Sequence, residues 1–404
     1  MNIFVKLSLC ALHVLLLDST AAAFEKSVSD MRSVELSAVT RKLFRQVKSP
    51  IQSEVVTDPL VLQEAVWDAL RYFKHKKNLV QSPLLGRVGL SAAQVERTLK
   101  FIHETIEADK ESGNFRVLDQ SFLNKNFNFV SWDGDRHGLK RDGIVIPERP
   151  DGGRLDPGKI RLTNYAVFSV DGSPHRTKIY DAALYEADTK DEELQGAMAK
   201  MTWDDLWGGR AFRRKSLSRV VKPLIWLSRH DAEDAAMQGT TVVRMPDGAR
   251  RVFNVHRSLE ILGSEQSRPG LRSPKYWFFR EINDIDGRDG GPQLKIVKHG
   301  GAVFAGNIKD LGLGKIIAIG YKNPTSRKEE IRLGVLSDTG GAFKDNLYQL
   351  DLYAGIFEDR KSFRKHLWRF PNTVNAYFLV RKHGSRSLPG ALVPGTQAIR
   401  DHEV

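Results

Sequence analysis

The stretch Ser337-Asp338-Thr339-Gly340-Gly341-Ala342-Phe343-Lys344, followed by Asp351-Leu352-Tyr353, decides the fold of this 404-residue chain. Alternating polar and apolar residues on both sides of the Gly-Gly turn predict two β-strands, and they place Gln349, Asp351 and Tyr353 on one strand face. A carboxylate between apolar neighbours is costly as a charge, so its pKa rises toward that of a working acid. Asp351 is therefore the first candidate for an acid, and Asp338 precedes it by thirteen residues.

The N-terminus has the pattern of a secretory signal peptide. Lys6 precedes an apolar run over 7–17, and three alanines at 21–23 end it; this pattern predicts cleavage directly after them and export to the periplasm or the cell exterior. Leu9 precedes the single cysteine, Cys10, where lipid attachment needs a small residue, so we expect no lipid anchor. The mature chain would then contain no cysteine, which excludes disulfides and thiolate metal sites.

The composition is strongly basic. Lys and Arg number 62 against 49 Asp and Glu, which gives a formal net charge of +13. Such an excess favours an anionic partner, and cell-wall polymer, a membrane surface and nucleic acid are the classes to consider. Solubility alone would also explain the excess, since clusters such as Arg213-Arg214-Lys215 form a solvated face more often than a binding site.

Periodicity divides the chain into a helical first part and a strand-rich last third. Helical spacing predicts helices over 60–73 and after Ser91, within a region from 24 to about 130. Between about 140 and 180 the Gly, Pro and Asp content predicts only short extended pieces, and Pro246-Asp247-Gly248 predicts a hairpin. The other predicted elements are a Trp-rich helical patch at about 191–218, strands at 276–282, 315–322, 330–338, 349–353 and 374–382, a short helix at about 358–368 and a mobile tail over 383–404.

Two motifs allow alternative interpretations. Asp338-Thr339-Gly340 resembles the active-site triplet of aspartic proteases, which need two such triplets sharing one proton, and the sequence contains no second Asp-Thr-Gly or Asp-Ser-Gly. A protease is therefore disfavoured. Trp203, Trp207 and Trp226 could stack on sugars, although aromatic residues in a helical patch more often belong to the core.

Several colinear motifs lie between about 160 and 382. They are Leu162-Thr163-Asn164-Tyr165, Gln238-Gly239 with the hairpin at 243–248, Arg257-Ser258, the block at 273–280, Ala305-Gly306-Asn307 to Leu313-Gly314, and the segment 338–353. In this order they resemble the motifs of the murein lytic transglycosylase A family, and the segment 338–353 is similar to the family's three-aspartate domain. The sequence departs from the family pattern at Asn307 in place of the first aspartate, at Gly239-Thr240-Thr241 in place of Gly-Ser-Gly, and at Ala166 in place of a tyrosine.

The resemblance implies a mainly β fold with N-terminal helices, in which a double-psi β-barrel and a smaller inserted β-domain enclose a glycan groove. The organisation it implies is a signal peptide at 1–23, a helical region and first barrel part at 24–165, an inserted β-domain at 166–254, the barrel domain at 255–382 and a tail at 383–404.

The resemblance also implies a reaction and its residues. The family cleaves the β-1,4 bond from N-acetylmuramic acid to N-acetylglucosamine without water and leaves a 1,6-anhydro sugar. Asp351 matches the group that acts as general acid and then as base, and Asp338 is expected to support it. The implied substrate-binding residues are Thr163, Asn164, Tyr165, Gln238, Gly239, Asn307, Gly340 and Gly341.

No metal or organic cofactor is implied. The expected partner is the glycan strand of peptidoglycan rather than nucleic acid, bound by a monomer without stable membrane insertion.

The departures from the family pattern leave a second function open. A non-catalytic or expansin-like glycan-binding module of the same fold would also explain the altered motifs. Asn307 cannot repel a neighbouring carboxylate as an aspartate would. We therefore expect a lower pKa for Asp351, and a more acidic optimum, than in relatives that keep the aspartate.

Overall fold

A computed structural model of the chain describes residues 40–75, 81–82, 84–144, 155–188, 193–194, 209, 218, 220–260, 275–282 and 298–382. The predicted signal peptide, most of the Trp-rich patch and the predicted tail lie outside these residues.

The helices include both of those predicted in the first part of the chain. They are α1 Pro59–His75, α2 Ala92–Asp109, α3 Gln120–Asn126, α4 Arg136–Arg141, α5 Arg229–Gln238, α6 Ile308–Leu311 and α7 Arg360–Leu367. The hydroxyl group of Ser91 accepts a hydrogen bond from the backbone N–H of Gln94 at 3.4 Å and so caps α2 as expected.

The strands confirm the predicted strand-rich last third and the hairpin. They are β1 Phe44–Val47, β2 Glu54–Val55, β3 Phe127–Trp132, β4 Ile160–Asp171, β5 Ala182–Ala187, β6 Val221–Leu227, β7 Thr240–Arg244, β8 Arg250–Glu260, β9 Lys275–Ile282, β10 Val303–Ala305, β11 Lys315–Lys322, β12 Glu329–Asp338, β13 Gln349–Phe357 and β14 Thr373–Arg381.

Six strands of the main sheet form a closed ring. The sheet runs in the order β1-β3-β14-β11-β12-β10-β13-β4-β7-β8-β9, with β2 added to β12. Because β14 also pairs with β4, the series β14-β11-β12-β10-β13-β4 returns to its first strand. The pairs β10–β12 and β13–β4 are parallel, and the other pairs of the ring are antiparallel. The mainly β fold with helices is confirmed, whereas the double-psi barrel stays a prediction.

Alternate residues of the ring strands fill its interior. One buried cluster contains residues from every strand of the ring, among them Leu162, Phe304, Ile317, Leu336, Leu350 and Phe378. Burying an apolar side chain of this size contributes about 1.5–3 kcal/mol relative to leaving it exposed. Since neighbours along a strand point to opposite faces, Asp351, next to the buried Leu350, lies on the outer face of the ring.

A second core surrounds the other half of β4. Residues of β4 after Tyr165 pack with residues of β6, β7, β8, β9 and α5 in one buried cluster. The strand β4 therefore belongs to both cores, and the predicted boundary at 165/166 falls inside it. The predicted boundary at 254/255 likewise falls inside β8, and the division into domains stays a prediction.

The sequence expectations for two regions are wrong in part. The region from 24 to about 130, predicted as helical, also contains β1, β2 and part of β3. The region from 140 to 180, predicted to hold short extended pieces, contains the twelve-residue strand β4. Residues from Ala166 to Val170 are buried on both faces of that strand, and a strand buried on both faces lacks the alternation that reveals strands in a sequence.

Candidate active site

The register of four adjacent strands brings both predicted carboxylates into one row. Ala305 of β10 lies opposite Asp338 of β12 on one side and opposite Asp351 of β13 on the other. Thr163 of β4 lies opposite Asp351. Directly paired residues point to the same face, and a β-bulge between the pairs Phe304–Leu336 and Ala305–Asp338 turns Asp338 away from the face that Leu336 occupies. These four residues, which we call the aspartate row, therefore lie on the outer face of the ring. With strands about 4.8 Å apart, the Cα atoms of the two aspartates are roughly 10 Å from each other.

Asp351 is half-buried and accepts a hydrogen bond from its own strand. Nε2 of Gln349 donates to Oδ1 of Asp351 at 2.8 Å. Burial raises the pKa of Asp351 to about 6. The hydrogen bond from Gln349 and the positive charge of Arg161 oppose this rise, and the negative charge of Asp338 adds to it. A carboxyl group with a pKa in this range can both give and take a proton at mildly acidic pH.

Gln349 connects Asp351 to two residues of the neighbouring strand. Its Nε2 also donates to Oγ1 of Thr163 at 2.8 Å, and its Oε1 accepts from Nη1 of Arg161 at 2.8 Å. Both oxygen and nitrogen of this amide are therefore used, which fixes its orientation and that of the Asp351 carboxylate. The sequence predicted that Gln349 shares a face with Asp351, but it did not identify Arg161 or Gln349 as part of the site.

Asp338 lies deeper and has different partners. Its side chain is buried, with 7% exposure, and Oη of Tyr165 donates to its Oδ2 at 2.7 Å. The backbone N–H of Thr339 donates to its Oδ1 at 2.7 Å. Burial raises the pKa of Asp338 to about 6, against the lowering effect of both hydrogen bonds. The two carboxylates are therefore unequal: Asp338 is enclosed by protein donors on both oxygens, and Asp351 is the more accessible one.

Tyr165 supports Asp338 from the side. Its ring packs against Tyr353, with centroids 5.2 Å apart. Burial and the neighbouring charge of Asp338 raise the pKa of Tyr165 well above its ordinary value, so the phenol stays a hydrogen-bond donor. The hydroxyl group of Tyr165 is directed at Asp338. A sugar could contact this hydroxyl group only if it also lay next to the Asp338 carboxylate.

The Gly-Gly turn leaves open space next to Asp338. Gly340 and Gly341 are both exposed, and a Cβ atom built on either would meet nothing within 4 Å. Gly340 has an extended backbone, and a 3₁₀ turn over Gly341–Phe343 follows it. A ligand can therefore approach the backbone amides of this turn closely, which is the usual reason for glycine beside a site.

Three other predicted site residues lie at or beyond the edge of the aspartate row. Oε1 of Gln238 accepts from the backbone N–H of Ala166 at 3.1 Å, one residue after Tyr165. Gly239 follows α5 with φ +84°, the left-handed conformation that ends helices. Asn164 alternates with Thr163 and Tyr165 along β4 and so points to the opposite face. The sequence motifs assigned these three residues to one site with the two aspartates, but in the structure they lie apart from the aspartate row.

Asn307 is part of a helix cap. Its Oδ1 accepts from the backbone N–H of Asp310 at 3.1 Å, and its Nδ2 donates to Oδ2 of Asp310 at 2.7 Å. The residue is 2% exposed. The backbone of Asn307 lies close to the aspartate row, since the N–H of the preceding residue, Gly306, donates to the backbone oxygen of Asp338 at 3.0 Å. Its side chain, however, is directed at Asp310.

Replacing Asn307 with Asp should destabilise the protein at alkaline pH. The new carboxylate would face Oδ2 of Asp310 in a buried position, and the lost hydrogen bond and repulsion together should lower the free energy of unfolding by about 1–3 kcal/mol. At pH 5 part of the lost stability should be regained, because one of the two carboxyl groups can bind a proton and donate it in a hydrogen bond to the other. Thermal unfolding at pH 5 and pH 8 measures this difference.

The double variant Asn307→Asp/Asp310→Asn is the matched control for Asn307→Asp. It restores one amide and one carboxylate and should recover most of the stability. The pH–rate profile of the single variant tests the expected link to Asp351 separately, since an added negative charge near the aspartate row should raise the pKa of Asp351. An unchanged profile would show that residue 307 does not influence that carboxylate.

Among the described residues no group of three or more His, Cys, Asp or Glu side chains is arranged to hold a metal ion. No helix in the same part of the chain is long and apolar enough to cross a bilayer.

Comparison with known proteins finds similar structures but no similar sequences. No family model matches the sequence, and no curated protein matches it. Among solved structures, a membrane-bound lytic murein transglycosylase from Agrobacterium tumefaciens matches over 84% of this chain and 98% of its own, with a TM-score of 0.53 at 15% identity. E. coli MltA with bound chitohexaose matches over 84% of this chain and 94% of its own, with a TM-score of 0.52 at 14% identity.

These matches define the fold of the chain. The chain shares the fold of these two lytic transglycosylases over nearly the whole length of each. One of the two is E. coli MltA, so the resemblance predicted from the sequence motifs is confirmed at the level of the fold.

Proposed function

We propose that this protein is a peptidoglycan lytic transglycosylase in which Asp351 acts first as a general acid and then as a general base. The observation that carries the proposal is the aspartate row: an accessible carboxyl group with a raised pKa lies on the outer face of the ring, beside an open Gly-Gly turn. The fold shared with lytic transglycosylases supports it. The chitohexaose bound to E. coli MltA supports a β-1,4-linked glycan as the ligand.

The proposed reaction needs one acid–base group. Protonated Asp351 donates its proton to the glycosidic oxygen as the bond to C1 of the muramic acid residue breaks. The resulting carboxylate then accepts the proton of the C6 hydroxyl group while that oxygen bonds to C1. The products are a 1,6-anhydro sugar and a free hydroxyl group on the leaving sugar, and no water is consumed. The raised pKa of Asp351 suits both steps, because the group must be protonated before the first and ionised before the second.

Asp338 takes a supporting role in this proposal. Both of its oxygens accept hydrogen bonds from protein groups, which leaves it poorly placed to form the covalent glycosyl intermediate of a retaining hydrolase. Its negative charge favours the protonated form of Asp351.

Sugar binding is assigned to the groups that border the row. The amides of Gly340 and Gly341 and the hydroxyl group of Thr163 would contact the glycan. Tyr165 would act through Asp338, and Gln238 would hold the start of the second half of β4 through its hydrogen bond to Ala166. Asn164, Gly239 and Asn307 would not touch the glycan directly and would act through the groups around the row.

We further propose that the protein works as an exported monomer in the periplasm or outside the cell, without a lipid anchor or cofactor. The second candidate function is a non-catalytic or expansin-like glycan-binding module of the same fold. The engagement of Asn307 in a helix cap favours it, because the position at which the family has its first aspartate then offers no group to the glycan.

Digestion of purified sacculi distinguishes these functions. Incubation with the protein should release muropeptides that end in 1,6-anhydro-muramic acid, identified by mass spectrometry before and after borohydride treatment, which reduces only free reducing ends. Products with reducible muramic ends would instead identify a hydrolase. Retention of the protein on sacculi without any release would leave only the binding module.

A further inference from the structure

A row of basic residues on the outer side of α7 is not used by the proposed cleavage reaction. Lys361, Arg364 and Lys365 are exposed, and Trp368, directly after the helix, is 68% exposed. Residues at spacings of three, four and seven lie on one helix face, so these four side chains form a line about 10 Å long. We call this line the basic stripe.

The helix that carries the basic stripe is held firmly by its inner side. Phe363 is buried, with its ring centroid 5.9 Å from that of Phe168 and 5.3 Å from that of Phe357. Nε of Arg360 donates to Oδ2 of Asp234 at 2.7 Å. The stripe is therefore a fixed surface of the fold.

The two acidic residues directly before α7 have contacts of their own. Asp359 caps the N-terminus of α7 and accepts from the backbone N–H of Ser362 at 2.7 Å, and its charge also lies near that of Lys361. Glu358 forms an ion pair with Arg244. Among the described residues no carboxylate forms an ion pair with Arg364 or Lys365, so the positive charges of these two are available to a partner.

A neighbouring turn extends the positive surface. Oγ1 of Thr325 donates to the backbone oxygen of Trp368 at 2.9 Å, which fixes the turn 323–328 beside the end of the stripe. Arg327 and Lys328 of this turn are exposed. The turn therefore adds two exposed cations to the region of Trp368.

We propose that the basic stripe binds the carboxylate-bearing peptides of a peptidoglycan strand, at a place distinct from the aspartate row. This inference rests on the proposed function for the identity of the polymer. The charge of the stripe is complementary to a polyanion, and its linear arrangement on a convex helix suits a linear chain.

A bilayer fits the same surface less well. The large apolar side chains of α7, Phe363 and Leu367, pack inward with the second core. Trp368 is the only large apolar side chain of the segment 358–370 that is exposed. Binding to a bilayer grows with the apolar area that is inserted, and a single indole ring provides little.

The distance to the aspartate row is compatible with one bound polymer. Strand β13 leads from Asp351 to Phe357, six residues away, and the end of this strand packs against α7. At about 3.3 Å per residue the separation is roughly 20 Å. Peptides that project from a glycan strand at Asp351 could therefore lie against the stripe, which would keep the protein on the wall between cleavage events.

Binding to sacculi tests the proposal in the full chain with Asp351→Asn, so that cleavage does not destroy the polymer. The variant Lys361→Gln/Arg364→Gln/Lys365→Gln should bind about tenfold more weakly at low salt, and its affinity should fall less steeply as salt is added, because fewer charges are screened. The matched control Lys42→Gln/Arg45→Gln/Lys48→Gln removes the same number of exposed positive charges from the region of β1 and should bind within about twofold of its parent.

The same measurements on modified polymers identify the partner. Amidation of the peptide carboxylates of the sacculi should remove the difference between the stripe variant and its parent. Equal weakening of the stripe variant and the control would overturn the proposal, as would a difference that survives amidation. Stripe-dependent capture of phosphatidylglycerol vesicles, with binding to sacculi unchanged, would assign the surface to membranes instead.

Cleavage of peptide-free glycan strands by the protein with Asp351 intact tests the proposed function separately. Anhydro products without stripe-dependent binding to sacculi would overturn only the docking site. Stripe-dependent binding without anhydro products would overturn only the transglycosylase.

Discussion

Replacing Asp351 with Asn is expected to reduce the release of anhydro-muropeptides from sacculi by about 10²–10⁴-fold, the range in which a positioned general acid or base contributes to catalysis. The asparagine is nearly isosteric, and its Oδ1 can still accept the hydrogen bond that Gln349 donates in the parent protein. The loss should therefore come from the missing proton transfers. Initial rates of anhydro product formation, followed by mass spectrometry across pH 4–8, measure the effect.

The stability of the same variant separates a chemical effect from misfolding. The pKa of Asp351 is raised in the folded protein from 3.8 to about 6, so the folded state binds more protons than the unfolded state between these values. The free energy of unfolding of the parent should therefore decrease as pH rises through this window. An asparagine does not titrate, so the variant should be at least as stable as the parent at pH 8. A large loss of stability there would mean that the activity loss reflects folding, and activity close to that of the parent would remove Asp351 from the mechanism.

Local patterns predicted the parts of the site that lie within one strand. The alternation of 349–353 placed Gln349, Asp351 and Tyr353 on one face, and the structure confirms this placement through the burial of Leu350 and Leu352 on the other. Asn307 followed three residues later by Asp310 is also a local signal, since asparagine is a favoured N-cap. Read in that way, the sequence could have predicted the capping contact instead of a sugar contact.

Contacts between distant segments could not be predicted in the same way. Tyr165 and Asp338 are 173 residues apart in sequence, and Arg161 and Gln349 are 188 apart. The contact of Arg161 with Gln349 depends on the register between the parallel strands β4 and β13, and the contact of Tyr165 with Asp338 depends on the registers across β4, β13, β10 and β12. A shift of one residue in a register would turn every side chain of the strand to the opposite face. The family motifs placed Tyr165 near the glycan, but only the register identifies its partner as a carboxylate.

Asp338→Asn is expected to lower activity in a pH-dependent way, because the charge of Asp338 helps to raise the pKa of Asp351. Without this charge more of Asp351 is ionised at neutral pH, and each unit by which its pKa falls removes about a factor of ten from the protonated fraction above the pKa. The decline of activity on the alkaline side of the pH–rate profile should therefore begin at lower pH. At pH 7 the rate should fall by up to about tenfold, while near pH 4 most of it should remain. Full pH–rate profiles of kcat and kcat/KM on sacculi measure this shift.

The alternative role for Asp338 gives a different profile. If Asp338 were a nucleophile or a second proton-transfer group, Asp338→Asn would abolish activity at every pH and could not be rescued by acid. The asparagine can keep the local contacts, since its Oδ1 can accept from the N–H of Thr339 and its amide can donate to Oη of Tyr165. Asp345→Asn is the matched control: this carboxylate lies in the same loop, is exposed and has φ +53°, a conformation that asparagine tolerates well. Because that control removes one carboxylate without touching the aspartate row, a pH shift found in Asp338→Asn and absent in Asp345→Asn would assign the shift to the charge beside Asp351.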